Sequence, residues 1–429
     1  MASFSIPLTG LNADSTALNT IANDLSNMNT TAFKSQSTNF SDLFYQQIGS
    51  TGSGDPIQVG AGTQVSANET DYAQGSINST GNATDVALNG SGFFVVSSGN
   101  GANEYSRAGN FSLTSNGNLV TANGLNVMGY PAANGVVNTN APLAPINIPV
   151  GQVEQPQATT TINMTTNLDA TSLSGTTFPA QVTVYDSLGT PHIATVTYTQ
   201  AGINTWGYSA ALPASEFTSG VSTPVTGTMQ FDQNGVLTSV SQLTPTAVAA
   251  TPVSDTAGDI ASIPLTFTGL ADGAADLNMN WNLLGASGTP TIGQVDAKSA
   301  VSATLQDGYA PGQYQSFTIG TDGTVTATYS NGQKENVGQL ALASVTNVQG
   351  LQMLGDGDYA TTLASGTASI ATSGTAGLGT LQDGALEGSN VNISAEFSNL
   401  IIAQRAFEAN SKAVTTFDTV TQETINMIH

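Results

Sequence analysis

The chain has no cysteine, only six lysines and arginines and only two histidines, and charged residues of either sign make up 8% of its 429 residues. Without cysteine, neither a disulfide framework nor a thiolate metal site or nucleophile is available, so stability has to come from packing and assembly. Against the six basic residues stand 29 acidic ones, a formal net charge of -23. Such a surface repels a phosphate backbone and an anionic lipid surface, which excludes nucleic acid as a partner. No apolar run approaches the length of about 18 residues needed to cross a bilayer, so membrane insertion is not expected. The first cation is Lys34, so the charged start of a cleavable signal peptide is missing. If the protein is exported, its own N-terminus must act as the signal.

Catalytic chemistry is equally short of material. His192 and His429 sit in a strand hairpin and at the last position, and each reads as a surface residue rather than a base. There is no His-Glu-x-x-His, Gly-x-Ser-x-Gly, Walker or Gly-x-Gly-x-x-Gly motif. "GDGDY" at Gly355 to Tyr359 lacks the ligand series and distal glutamate of a calcium loop and reads as a polar turn. The expectation is no enzyme, no cofactor, no catalytic residue and no metal site.

Two segments carry a helical period. Phe4, Leu8, Leu11, Leu18, Ile21, Leu25 and Met28 recur at steps of three, four or seven, and residues 1 to about 45 read as helix. Near the other end Phe397, Leu400, Phe407, Val414 and Phe417 form a second stripe within residues 392–428, with Asn392 or Ser394 as candidate caps and Glu396 in the first turn. Ile401 and Ile402 point away from that stripe, which gives the helix two apolar directions and more than one packing partner. Either the two helices form an ordinary intramolecular hairpin, or they also pack against other copies; outward faces almost without charge favour the second.

Between the helices the period changes to two. "SGFFVV", "FSLTSNGNLV" and "GLNVMGY" are short strands, with turns at Asn116-Gly117 and Asn123-Gly124. Pro142, Pro145, Pro149 and Pro156 mark a domain crossing, after which "QVTVYDSLGTPHIATVTYT" opens another strand-rich region. Glycine-rich stretches at Gly49 to Gly62 and Gly355 to Gly379 read as linkers, and Gly49, Gly52, Gly54, Gly60, Gly62, Gly374, Gly377 and Gly379 as hinges. The fold class is multidomain α+β: a terminal helical hairpin or coiled coil plus two mainly antiparallel β domains, the outer inserted in the inner. The boundaries are 1–48 with 380–429 for the helices, 49–74 for the linker, 75–148 with 297–373 for the inner β domain and 149–296 for the outer.

Three blocks carry a family resemblance. "NTIANDLSNMNTTAFKSQSTNF", "GSGFFVV" with "YSRAGNFSLTSNGNLVTANGLNVMGY", and "GALEGSNVNISAEFSNLIIAQRAFEANSKAVTTFDTVTQETINM" are similar, in that order, to the signatures of the bacterial flagellar rod and hook axial proteins. Length and the inserted middle region resemble the hook branch rather than the shorter distal rod proteins. One departure is Ala32, where the family has glycine in a Gly-Phe-Lys turn, which argues against a positive φ at that position.

The resemblance implies an extracellular structural subunit that leaves through the flagellar type III export apparatus and polymerises with itself into a curved helical tube, a flexible joint between rod and filament. It also implies the hook cap, distal rod and hook-filament junction proteins as partners. The assembly interface would be Leu8, Leu11, Leu18, Ile21, Leu25, Met28, Phe397, Leu400, Ile401, Ile402, Phe407, Val414 and Phe417. Another flagellar axial protein and a secreted β-rich adhesin are the alternatives.

Overall fold

A computed structural model describes residues 5–99, 103–243 and 261–428. Phe4 and His429 lie outside the described residues. The chain divides into two units, the first made of residues 1–150, 316–328 and 334–429, the second of 151–315 and 329–333. Chain order therefore places the second unit as an insertion into the first. Residues 297–315, assigned from sequence to the inner β domain, fold with the insertion because Ala300–Gln306 pairs along Thr161–Asp169.

In unit 1 the helix α1 spans Ser5–Ser26 and α2 spans Ile393–Ile428. Pro7 sits in the first turn of α1, where a missing amide donor costs nothing. Asn392 caps α2, its Oδ1 accepting from the amides of Ser394 (3.1 Å) and Ala395 (3.2 Å), with Glu396 placed favourably behind it.

The first helix is shorter than its apolar period predicted. It stops at Ser26, and the strands Gln36–Asp42, Tyr45–Ser50, Pro56–Gly60 and Thr63–Thr70 follow. Two antiparallel pairs result, Gln36–Asp42 with Thr63–Thr70 and Tyr45–Ser50 with Pro56–Gly60. The expected 49–74 linker is thus mostly strand. Its glycines and Pro56 serve the hairpin end, where the Thr51 amide donates to the Asp55 carbonyl (2.8 Å) and Gly54 takes φ +89°.

The β body of unit 1 is a sheet in which Lys334–Ser344, Asn126–Ala133, Phe93–Ser97, Asn103–Ser106, Asp358–Ala360 and Gln352–Gly355 lie side by side in that order. Chain segments far apart in sequence alternate across it, so the first and last thirds of the protein fold together. Phe93, Tyr105 and Tyr359 pack on one face, with the Phe93 and Tyr359 rings 5.4 Å apart, edge to face. The segment Gly355 to Gly379, expected as a linker, supplies strands to this unit at Asp358–Ala360 and Ser369–Thr372.

Unit 2 is built from two five-stranded sheets. One is a meander of Thr177–Tyr185, Pro191–Gly202, Thr205–Ala211, Val225–Phe231 and Leu237–Leu243. In the other, Thr161–Asp169 runs parallel to Leu277–Asn282 and to Ile292–Val295. Strict alternation along Pro191–Gly202 sends His192, Ala194, Val196 and Tyr198 inward. A single apolar cluster joins both sheets around Trp206, Trp281, Tyr198 and Phe267.

His192 is not a surface residue. It is 2% exposed, and three carboxylates surround its ring: Glu216, Asp186 and Asp272. Burial works against a charged imidazole, but hydrogen bonding to Asp186 and Glu216 outweighs it and raises the His192 pKa. What the sequence conceals is that the turn at Asp186 and the loop bearing Asp272, 86 residues later by number, close over the same ring.

Candidate assembly site

The helical pair is built from small residues. Along α1 the buried positions are Pro7, Gly10, Ala13, Ala17, Thr20 and Asp24, a three-and-four stripe, and α2 meets it with Ala403. A Cβ on Gly10 would lie 2.6 Å from Asn410 Nδ2, so any larger residue would displace that amide from its present place. Asn410 uses the space to donate to Asp14 Oδ2 at 2.8 Å. Close approach of two helices through glycine and alanine leaves the larger side chains on the flanks.

The expected interface residues are accordingly only partly covered within the chain itself. Leu8, Met28, Phe397, Ile401 and Ile402 are exposed, Ile402 to 67%. Leu11, Leu18, Ile21, Leu25, Leu400, Phe407, Val414 and Phe417 are half-buried. Beyond them Val420, Ile425 and Met427 are exposed too. Ile21, Ile402 and Phe40 border a groove of about 430 Å3 between α1, α2 and the strand Gln36–Asp42.

The sequence reading missed the hairpin that follows. Phe44 is 79% exposed, and Tyr45, Ile48, Ile57 and Val59 are exposed beside it. Alternation of Ile57 and Val59 in "PIQVG" was the available signal, whereas a bulge between Gln47 and Gly49 spaces Tyr45 and Ile48 three apart. Gly49 and Gly60 lie inside these strands, Gly52 and Gly54 in their turn, and Gly62 just after them. By contrast Gly374, Gly377 and Gly379 belong to a closed turn: the Gly374 amide donates to the Gly379 carbonyl (2.9 Å) and the Gly379 amide to the Ser91 carbonyl (2.8 Å).

An ion cluster fastens the root of the helices to the β body. Glu387 is 2% exposed and takes Lys34 Nζ on Oε1 and Arg107 Nε on Oε2, each at 2.7 Å. The guanidinium also donates to the carbonyls of Gly92 (2.6 Å), Gly90 (2.6 Å) and Leu88 (3.2 Å), and Lys34 to that of Ala73 (2.8 Å). Every charge is therefore both paired and hydrogen-bonded, the condition under which burial is tolerable.

The two ends of the Lys34–Glu387 contact shift in ways that do not match. Burial pushes the Glu387 carboxyl up, but the charge of Arg107 and hydrogen bonds from Lys34 and Arg107 hold it below the ordinary range. Burial lowers Lys34, and Glu387 restores only part of the loss. Arg107 is the principal countercharge to Glu387, and Lys34 is the guest in the pair.

Nearby, Ala32 has φ +55° although it is not glycine, and its amide donates to the Glu387 carbonyl at 2.8 Å. The expectation of a negative φ there is overturned: the surrounding contacts hold an alanine in the conformation that glycine would take freely. Asp24, at the end of α1, accepts the Gln36 amide at 2.8 Å while its Oδ1 is buried without a partner. Burial is the main reason its pKa rises to about 6, with Glu396 adding to it against the amide bond.

Lys34, Arg107 and Glu387 fall one each in the three sequence blocks singled out above, and comparison with known proteins follows the same blocks. Residues 6–34 match the family described as flagella basal body rod protein, and residues 87–169 the flagellar hook protein FlgE/F/G D1 domain. Residues 157–309 match the flagellar basal body protein FlaE D2 domain, and 382–427 the flagellar basal body rod FlgEFG protein C-terminal domain. The chain is 34% identical to the flagellar hook protein FlgE of Salmonella typhimurium over 99% of its length and 100% of that protein.

The chain belongs to the flagellar hook protein FlgE family. The hook proteins of Escherichia coli (33% identical, 99% of each chain) and Treponema pallidum (33%, 98% of each) agree with it over the same span. The crystal structure of Helicobacter pylori hook protein FlgE2 shares the fold, with a TM-score of 0.52 and 14% identity over 71% of this chain and 99% of that one. Members of this family are structural proteins of the flagellar hook, outside the cell, and polymerise into an axial structure; the chain is a hook subunit and not an enzyme. Among the described residues no helix is long and apolar enough to cross a membrane.

Proposed function

We propose that α1, α2 and the exposed hairpin 45–60 form the inner wall and inter-subunit joint of the tube, and that unit 2 forms its outer part. The observation that carries this reading is the row of large apolar side chains left outside the helix pair, Leu8, Met28, Phe397, Ile401 and Ile402. At about 25 cal/mol per Å2 of apolar area, covering such a row in every copy gives a strong wall by repetition. Arg405 and Glu408, in the turns that follow Ile401 and Ile402, pair with each other at 3.2 Å, which reduces the cost of covering them.

Torque then passes through the helical wall, while each subunit lengthens and shortens along the tube by bending elsewhere. Gly49, Gly52, Gly54, Gly60 and Gly62 supply the softer connection; bending at Gly374, Gly377 and Gly379 has to break the bonds that close that turn. The buried Lys34–Glu387–Arg107 cluster keeps the helix roots from twisting independently of the β body. A hook cap, distal rod, hook-filament junction protein and the type III export apparatus are the remaining partners in this reading, the export apparatus receiving the chain unfolded.

Truncation tests it. Deleting residues 400–429 should leave a soluble chain that gives no tubes in electron micrographs after salting out. Normal tubes from that variant would end the proposal.

A further inference from the structure

The environment of His192 in unit 2 contains more negative charge than its own groups can balance. Glu216 Oε2 stands 2.9 Å from Nδ1; on the other side of the ring, Asp186 Oδ2 stands 3.2 Å and Asp272 Oδ2 3.5 Å from Nε2. Carboxylates only accept, and a neutral imidazole has a single N–H. Nδ1 faces Glu216 and Nε2 faces two carboxylate oxygens, so the space beside Nε2 is one that either a proton or a metal ion can fill. Even an imidazolium would leave two of the three negative charges uncompensated, and among the described residues no Lys or Arg forms an ion pair with any of them.

The spacing of the three groups suits a metal as well as a proton. A ring N–H reaches acceptors at about 2.7–3.2 Å, so it serves Asp186 and falls short of Asp272. Bonds of about 2.0–2.2 Å to a tetrahedral zinc ion set its ligand atoms roughly 3.3–3.6 Å apart, which matches the Asp272 contact and lies close to that of Asp186. Asp186 is held ready for this, since its Oδ1 is occupied by the amides of Leu188 and Thr190, each at 2.8 Å, leaving Oδ2 aimed at the ring. The three ligand atoms all lie within 4.8 Å of one another. Glu216 on Nδ1 is the carboxylate partner that fixes the tautomer of a metal-binding histidine.

We propose that Asp186, His192 and Asp272 bind one divalent cation of the zinc class, with Glu216 as the positioning residue. The ion would join the turn between the strands Thr177–Tyr185 and Pro191–Gly202 to the loop between Ser262–Phe267 and Leu277–Asn282, pinning the two sheets of unit 2 together at one end. Partial exposure of Asp272 gives it a way in.

The test uses the full chain, stripped with a chelator and then titrated with Zn2+ by calorimetry and with Co2+ by visible absorption. Expected are one equivalent of Zn2+, the absorption bands of four-coordinate cobalt, and a higher melting midpoint of the tryptophan fluorescence. His192→Ala and Asp272→Asn should abolish all three. Glu216→Gln should weaken binding about 10–100-fold while leaving the stoichiometry at one. Asp272 is partly exposed, so its variant retains the fold, and its fluorescence melt verifies this. Failure of the wild-type chain to take up stoichiometric Zn2+, or uptake unaffected by all three substitutions, overturns the site and leaves an imidazolium held by three carboxylates.

Discussion

In unit 2, Trp206, Trp281, Tyr198 and Phe267 are fully buried, and one cluster unites both sheets. In the helical pair the buried residues include Gly10, Ala13, Ala17 and Ala403, while Leu8, Met28, Phe397, Ile401 and Ile402 are exposed. Both regions draw on a chain of 39% hydrophobic residues, so composition does not separate them. What separates them is whether burial is completed within one copy. A self-contained sandwich is stable as a monomer, whereas helices that close on small residues complete their burial only with neighbours.

Two substitutions of similar cost should break the regions separately. Glu387→Gln strands Lys34 and Arg107 in a buried site and should cost about 3–5 kcal/mol. Trp281→Ala opens a cavity in unit 2 and should cost about 3–5 kcal/mol as well. Both tryptophans of the chain lie in unit 2 and both helices in unit 1, so fluorescence and helical circular dichroism report different units. The Glu387 variant should lower the dichroism midpoint and leave fluorescence in place; the Trp281 variant should do the reverse and still assemble. A common shift of both probes would mean that the units unfold as one.

A smaller effect on the monomer carries a larger message. Ile401→Ser with Ile402→Ser removes two exposed side chains, and in the isolated chain should change stability by no more than about 0.5 kcal/mol. The concentration needed for polymerisation should nevertheless rise at least about tenfold, equivalent to roughly 1.4 kcal/mol lost per added copy. Unchanged assembly by light scattering would show that this face of α2 stays wet in the tube.

The same comparison explains what was legible in the sequence. Both helices were, because a 3.6-residue period survives whatever covers it. Their apolar stripes did not say which contact they serve, since Leu8 and Phe397 are exposed in the single chain, while the buried Gly10 and Ala17 look like filler. The strands between residues 36 and 70 were hidden because an exposed glycine-rich hairpin has neither a helical period nor a long alternating run.

Lys34, Arg107 and Glu387 are too far apart for any local pattern. Their one signal was scarcity: of six cations in the chain, Lys34 and Arg107 are each the single one of their family block, whereas the third block carries Arg405 and Lys412. His192 concealed its carboxylates for the same reason, the loop carrying Asp272 being remote in sequence.

Ala32 gives the finest comparison, between what the family turn asks for and what this chain supplies. An L-residue with side chain in the left-handed region costs about 1–2 kcal/mol relative to its ordinary conformation, so Ala32→Gly removes strain. It also removes a buried methyl, worth about 0.8 kcal/mol, and frees the unfolded backbone at a cost of roughly 0.5–1 kcal/mol. These contributions nearly cancel, and the variant should melt within about 0.5 kcal/mol of the parent by dichroism. Ala32→Val should be clearly worse, because a β-branched residue can neither adopt φ +55° cheaply nor fit beside the Glu387 carbonyl. If glycine instead stabilised the chain by more than about 1 kcal/mol, the methyl would be contributing nothing, and Ala32 would be strain left uncompensated at the root of the helices.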